Sequence, residues 1–153
     1  MNPTPSEFSA ESRRGPLLDL LEMRPETVRP GHVVVLYQVG ASHLRTGGIA
    51  HGGVIATLMD TTLGLSASSL CPEGFDVVTA QININFIRPA WPGEHLRAEG
   101  TVRHAGRKTA VATGEILSEQ GALVATGSAT FVYVPATDFR REGSESAIAS
   151  EGN

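Results

Sequence analysis

Between Thr46 and Pro72 lie twenty-seven residues with one formally charged side chain, Asp60. Within them HGGVIATLMDTTLGLSASSLCP (51–72) has no proline before its end and is long enough for about five to six helical turns. As a strand it would run to about three times the usual length, so a helix is expected. A helix that is apolar nearly all round has to be buried in the middle of its domain. Asp60 therefore sits in an element that ought to reject it. An ionised carboxylate without partners there would cost several kcal/mol, so it must be paired, hydrogen-bonded or raised in pKa.

Position around the helix separates two faces. Gly53, Ala56, Thr57, Gly64 and Ala67 share helical spacing with Asp60 and are small, whereas Ile55, Leu58, Met59, Thr62 and Leu65 form a bulkier face. The small face leaves room beside Asp60 for another backbone or for a ligand. On composition alone a purely structural reading also stands, in which Asp60 bonds Thr57, Thr61 or a buried water.

After the helix the hydrophobic period changes to two. In VVTAQININFIRP (77–89), strict alternation puts Val78, Ala80, Ile82, Ile84 and Phe86 on one side and Thr79, Gln81, Asn83 and Asn85 on the other. Three further strands are expected at 94–106, 107–121 and 122–135, with turns at His104-Ala105-Gly106 and Glu119-Gln120-Gly121. HVVVLYQVG (32–40) reads as a strand before the helix, and Phe8, Leu17, Leu18, Leu20 and Leu21 suggest a short amphipathic helix between Glu7 and Met23. Antiparallel strands with a segregated helix make the chain α+β: one sheet of about five strands wrapped around one long central helix. Residues 7–135 form the expected domain, flanked by disordered tails at 1–6 and 136–153, which are rich in Pro, Ser, Gly and Glu.

Charge makes up 18% of the 153 residues, against an ordinary share of about 25%. Fifteen of the twenty-eight charges fall in residues 1–30 and 138–153, so the middle is poorer still. A net charge of −4 argues against a nucleic-acid partner. No run approaches 18 apolar residues, which argues against a membrane partner. The single Cys71 excludes an intramolecular disulfide and a thiolate metal cluster, and the N-terminus has no apolar stretch of signal-peptide type. A soluble cytoplasmic protein is expected. His32, His43, His95 and His104 show no metal-ligand spacing, and no metal site is expected.

His51-Gly52-Gly53 stands at the expected helix start, where backbone N–H groups lack intrahelical partners and the dipole is positive. Glycine lets a ligand approach those donors without a Cβ in the way, so the place suits an oxyanion. Gly52 and Asp60 are eight residues apart, about 12 Å along the axis. A base or nucleophile must come within about 3 Å of its target or reach it through one water. One helix cannot supply both parts of a single site. If the two cooperate, Asp60 comes from a second copy whose helix runs antiparallel, in a twofold dimer whose sheet could continue through strand 77–89.

Residues 30–135 resemble the hotdog-fold acyl-CoA thioesterases of the phenylacetate-pathway (PaaI-like) type. The resemblance rests on HGGVIATLMDTTLG (51–64), with Asp60 nine residues after His51, on FIRPAWPGEHLRAEG (86–100) and on the RHAGRK turn (103–108). It implies hydrolysis of acyl-CoA thioesters, aromatic ones among them, to free acid and coenzyme A. Gly52 would polarise the thioester carbonyl, Asp60 of the other subunit would act as nucleophile or base, His51 would orient the site, and Thr79 would position the water or the carboxylate. No cofactor is implied, since coenzyme A is part of the substrate, and a homodimer or dimer of dimers is expected. One departure stands out: the family's Asn six residues before the His is Arg45 here, and Gln38 is the candidate to compensate.

Thioester chemistry suits these residues, because the carbonyl oxygen gains charge and the thiolate leaves with little protonation. Neither GxSxG nor an evident His partner for Cys71 points to a nucleophilic triad. For the coenzyme A phosphates the candidates are Arg88, Arg103, Gly106, Arg107 and Lys108, and Gly53 is a further candidate for binding the substrate; Arg97 adds to the local positive excess. The alternatives are a hotdog acyl-CoA hydratase or dehydratase and a non-catalytic acyl-CoA-binding sensor. A sensor of that kind would carry a DNA-binding region and lack the mid-helix acid, unlike this chain.

Overall fold

The computed structural model of the protein describes residues 14–139. In chain order it has α1 (Pro16–Leu20), β1 (Arg24–Arg29), β2 (His32–Gln38), α2 (Gly52–Ser68), β3 (Phe75–Phe86), β4 (His95–Ala105), β5 (Thr109–Ser118) and β6 (Leu123–Pro135). Short 3-10 turns occupy Ala41–His43 and Ala136–Phe139. The strands form one antiparallel sheet in the order β1-β2-β4-β5-β6-β3. α2 lies across one face, in contact with β2 to β6, and carries the chain from β2 to the far edge, where β3 begins. This is the hotdog arrangement.

The sheet has six strands rather than about five. The missed one, β1, reads RPETVR, and its proline and three charges suit a sheet edge while masking any alternation. Pro30-Gly31 then turns it into β2, with Gly31 at φ 75° and Arg29 paired to His32. Among the described residues the early helix spans Pro16–Leu20; residues 7–13 lie outside them, as do the tail 1–6 and positions 140–153. Residues 136–139, assigned to the C-terminal tail from sequence, form a 3-10 turn whose first N–H donates to the Gly74 carbonyl at 2.9 Å.

α2 ends four residues before the expected limit. Leu70 and Cys71 bond back to Ala67 and Ser68 in tighter turns before Pro72 closes the segment. The bulky face is buried as expected, with Ile55, Leu58, Met59, Thr62 and Leu65 all turned to the sheet. The buried Thr62 and Ser66 hydroxyls donate to the Leu58 and Thr62 carbonyls at 2.7 and 2.8 Å, so neither is left unsatisfied.

Three glycines set how deeply the helix sits. Gly100, Gly114 and Gly127 stand side by side on β4, β5 and β6. A Cβ on Gly100 would come within 2.7 Å of Ser66 Oγ and 3.1 Å of the Thr62 carbonyl oxygen. On Gly114 it would lie 2.8 Å from Leu63 Cδ2, and on Gly127 3.1 Å from Met59 Cγ. The helix rests in a trench that any side chain would fill.

β3 departs from strict alternation. A bulge at Ala80 separates the Thr79–Phe131 pair from the Gln81–Thr130 pair, so two residues oppose one. The phase reverses there. Val77 and Thr79, not Val78 and Ala80, share the helix-facing side with Ile82 and Ile84, and Val78 is 39% exposed. β3 is also an edge strand, and its second hydrogen-bonding edge is unpaired within the chain.

Gly114→Ala should lower the unfolding free energy by about 1–3 kcal/mol, because the methyl meets Leu63 and the Glu99 carbonyl oxygen, 2.5 Å away, rather than the tip of a flexible chain. Urea unfolding would show a lower midpoint at unchanged slope. An unchanged midpoint would mean that α2 lifts off the sheet without cost.

Candidate active site

His51 is the N-cap of α2, in an extended conformation that brings its ring back over the first turn. Its Nδ1 accepts the Gly53 N–H at 2.8 Å, and its carbonyl accepts from Val54 at 2.9 Å and Ile55 at 3.3 Å. Of the first N–H groups, that of Gly52 is left without a partner among the described residues. The two glycines thus have different parts. Gly53 is occupied by His51, and a Cβ there would lie 2.9 Å from the ring, whereas Gly52 keeps an open donor at the positive end of a 17-residue helix.

Gly52 opens onto a cleft of about 340 Å³ lined also by Arg45, Ile49, Ala50, Ile55, Phe86, Ile87, Arg88, Pro89 and Ala90. Its walls come from the loop before α2 and from the segment after β3, which the Ala50 N–H ties to the Ala90 carbonyl at 2.9 Å. The loop is fixed from behind. His43 Nδ1 meets both the Tyr37 hydroxyl at 2.7 Å and the Gly40 N–H at 3.1 Å, and the His43 carbonyl accepts the His51 N–H at 2.9 Å. Burial pushes the Tyr37 phenol up to about 12, a shift that a backbone hydrogen bond at Gly40 opposes, and so it stays a donor.

Arg88 forms the other shoulder of the cleft. One guanidinium nitrogen donates to the Pro89 carbonyl at 2.8 Å, another pairs with Glu94, and the buried Nε has no hydrogen-bond partner. Glu94 also accepts the Trp91 N–H at 2.9 Å. Burial pushes the Glu94 carboxyl up, but the Arg88 and Trp91 hydrogen bonds and the Arg88 charge outweigh it and hold it below its ordinary value.

Asp60 lies in a different cleft. It is half-buried near the middle of α2, and the Thr79 hydroxyl donates to its Oδ1 at 2.8 Å. The Ala80 bulge makes this contact possible, since strict alternation would point Thr79 away from the helix. The surrounding cleft, about 270 Å³, is lined also by Thr61, Gly64, Ser68, Asp76, Val77 and Phe131. Gly52 and Asp60 are therefore brought to two separate openings of one chain.

The residues expected to meet phosphate scatter. Arg88 is beside Gly52. Gly106, Arg107 and Lys108 form the β4–β5 turn near the other end of the sheet, where the Gly106 N–H donates to Thr109 and the Lys108 carbonyl accepts from Tyr133. Arg103 stands on the outer face of the sheet, its Nε donating to Thr113 Oγ1 at 2.7 Å. Gln38 donates to the Gly93 carbonyl at 3.2 Å and does not line the Gly52 cleft, so it does not stand in for the family Asn. Arg45 does line that cleft, as do Phe86 and Ile49, which sequence reasoning did not assign to it. Among the described residues no cluster of three His, Cys, Asp or Glu side chains could hold a metal ion, and no helix is long and apolar enough to cross a membrane.

Comparison with known proteins agrees with this architecture. The family model of the thioesterase superfamily matches residues 47–125, which span α2 to the start of β6. The acyl-coenzyme A thioesterase PaaI of Escherichia coli K12 is 35% identical over 95 residues, 62% of this chain and 66% of that protein. The solved structure of E. coli PaaI, from the phenylacetic acid degradation operon, superposes with a TM-score of 0.76 at 28% identity, covering 82% of this chain and 88% of that one. A hypothetical thioesterase of Streptococcus pneumoniae TIGR4, solved with coenzyme A, superposes with a TM-score of 0.69 at 35% identity over 74% of this chain and 86% of that one.

Because the folded-state pKa of Glu94 is lowered, its ionisation stabilises the fold above the ordinary carboxylate range, and this contribution is lost as pH falls through it. Glu94→Gln should cost about 1–3 kcal/mol at pH 7 by leaving Arg88 unpaired. The gap in melting temperature between the variant and the parent should narrow from pH 6 to pH 3. A gap independent of pH would assign the loss to packing.

Proposed function

The chain belongs to the thioesterase superfamily and is a thioester hydrolase of the PaaI-like hotdog type, and from that premise we propose that it cleaves acyl-CoA at a site divided between two subunits. The observation that carries the division is the position of Gly52 and Asp60 on one rigid helix, opening into different clefts. Eight residues of helix hold them about 12 Å apart, too far for one reacting carbon. A second copy related by a twofold axis, its α2 antiparallel to the first, closes the distance. Its Asp60 then faces the first copy's Gly52.

The edge strand β3 supports that dimer. Twelve residues long, with Asp76 its only charge, it leaves one edge of N–H and C=O groups unpaired within the chain, and Phe75, Val78 and Phe86 on it and Ile87 just after it are 39–56% exposed. Pairing two β3 strands would join the sheets and cover the small face of α2. The polar trough on the outer sheet face, lined by Asn83, Thr101, Arg103, Thr113, Glu115 and Ser128, is then the surface for a dimer of dimers.

In the reaction, the Gly52 N–H and the helix dipole hold the thioester carbonyl oxygen as it gains charge. The partner's Asp60, oriented through Thr79, either takes a proton from the attacking water or attacks the carbonyl itself. The carbon–sulfur bond breaks, and the thiolate departs without a general acid; where Asp60 is the nucleophile, water then hydrolyses the acyl–Asp60 anhydride to free acid and carboxylate. His51 acts through the cap, by occupying Gly53 and leaving Gly52 free. The partner's Gly106, Arg107 and Lys108 come from the same end as its Asp60 and supply positive charge for the phosphates. The apolar cleft, with Phe86 3.7 Å from where a Gly52 Cβ would stand, suits an aromatic or short aliphatic acyl group. No metal or organic cofactor enters these steps, and Cys71 as the single thiol fits the cytoplasm.

Asp60→Asn should lower kcat by about 100- to 10,000-fold in assays of thiol release from a panel of acyl-CoA thioesters, with the oligomer intact by sedimentation. Near-normal turnover would sink the mechanism. Single turnover in labelled water separates the two roles, since label enters Asp60 only if it is the nucleophile. Mixing Asp60→Ala with Gly52→Pro subunits should restore activity through one intact site per heterodimer, and no recovery after proven subunit exchange would contradict the shared arrangement.

A further inference from the structure

Within one chain, before the partner's Asp60 is brought to Gly52, the cleft carries an unbalanced charge. Apart from Gly52 its lining is apolar except for two arginines, and no carboxylate lines it. Arg88 is answered by Glu94 and the Pro89 carbonyl. The Arg45 side chain has no hydrogen-bond or ion-pair partner among the described residues.

Its backbone, by contrast, is held firmly. The Arg45 N–H donates to the Ile49 carbonyl at 2.9 Å, the Gly48 N–H donates to the Arg45 carbonyl at 3.1 Å, and Leu44 bridges Ala50, whose N–H is tied to the cleft wall at Ala90. The guanidinium of this exposed residue is thus stationed at the rim of an apolar cleft that also holds the Gly52 donor, with no protein partner of its own among the described residues. Such a group favours an anionic ligand that can accept two parallel N–H bonds.

We infer that Arg45 selects acyl groups ending in a carboxylate, so that the preferred substrates are coenzyme A monothioesters of short dicarboxylic acids. This rests on the thioesterase reading of the site and narrows it. A sphere of the cleft's volume is only about 9 Å across. With the thioester oxygen on Gly52, a carboxylate separated from the carbonyl by about two to four methylenes stays within that width, at about 1.2 Å of advance per bond. The phosphates of coenzyme A are the competing anions, and they lie too far away. About thirteen bonds separate the thioester sulfur from the first phosphorus, roughly 15 Å when extended.

The test compares glutaryl-CoA with pentanoyl-CoA, which has the same number of acyl carbons without the charge. The wild-type enzyme should favour glutaryl-CoA in kcat/KM. Arg45→Gln should lower the glutaryl-to-pentanoyl ratio by about 10- to 100-fold, the range for loss of a charged hydrogen bond. Arg45→Glu should lower it further, and Arg45→Lys should retain part of it, with thermal melts confirming that each variant is folded. A wild-type ratio near one, or equal losses on both thioesters in Arg45→Gln, overturns the assignment; the second result would put Arg45 in contact with coenzyme A or with the partner's Asp60. If the wild-type enzyme releases thiol from neutral acyl-CoA but Arg45 does not move the ratio, this inference fails and the thioesterase reading stands. If it releases none from any thioester, both fail.

Discussion

Everything functional in this chain depends on how closely α2 approaches the sheet. Gly100, Gly114 and Gly127 remove three side chains in a row from the inner face, and the helix settles into the gap with Ser66, Leu63 and Met59 against bare backbone. That depth buries the bulky face completely and commits the orientation of the other one. Asp60 is then held beside Thr79, and Gly52 beside Phe86, by the same rigid body. Neither can shift without lifting a helix whose side chains are packed at crystal-like density. The position of the proposed catalytic groups is in this sense a by-product of glycines on the strands beneath them.

Legibility from sequence tracked the strength of each physical signal. The helix was clear because one charge in twenty-seven residues admits few other folds, and β2, β4, β5 and β6 were clear because each is bounded by turn residues, β2 and β6 being apolar as well. β1 was not, since an edge strand made of RPETVR looks like a charged linker; the Pro30-Gly31 turn beside it was the signal available. The Ala80 bulge was hidden for a different reason. A bulge changes phase without changing composition, so alternation carried through it inverts the facing of Val78 and Thr79. The interior glycines of β4, β5 and β6 were visible as letters. Their meaning came only from the register that puts them in one row.

For the site, local signals carried further than long-range ones. His51, Gly52 and Asp60 could be placed from helix geometry, and the same rise per residue that built the helix argued that they serve different copies. Arg107 and Lys108, close in sequence to Arg103, lie elsewhere, because a turn and an outward-facing strand position separate them. Arg45 and Gln38 show the same limit. Which of them meets the Gly52 cleft depends on where the loop before α2 returns to Ala90, and no period encodes that.

The identity of the cap bears on the chemistry. Asp, Ser and Asn cap helices as well as any residue, and Asp would be the strongest acceptor for the Gly53 N–H. It would also place a full negative charge beside the donor proposed to stabilise a developing oxyanion. Two like charges about 5 Å apart repel by roughly 3 kcal/mol at an effective dielectric near 20, enough to cancel much of what a single amide contributes. His51 accepts through Nδ1, which puts its ring proton on Nε2 and satisfies Gly53 without a net charge. The helix end keeps its positive field, and Gly52 keeps its N–H. With the carboxylate on the same helix about 12 Å away, the negative charge of the proposed reaction would arrive from the partner, away from the donor that has to remain unopposed.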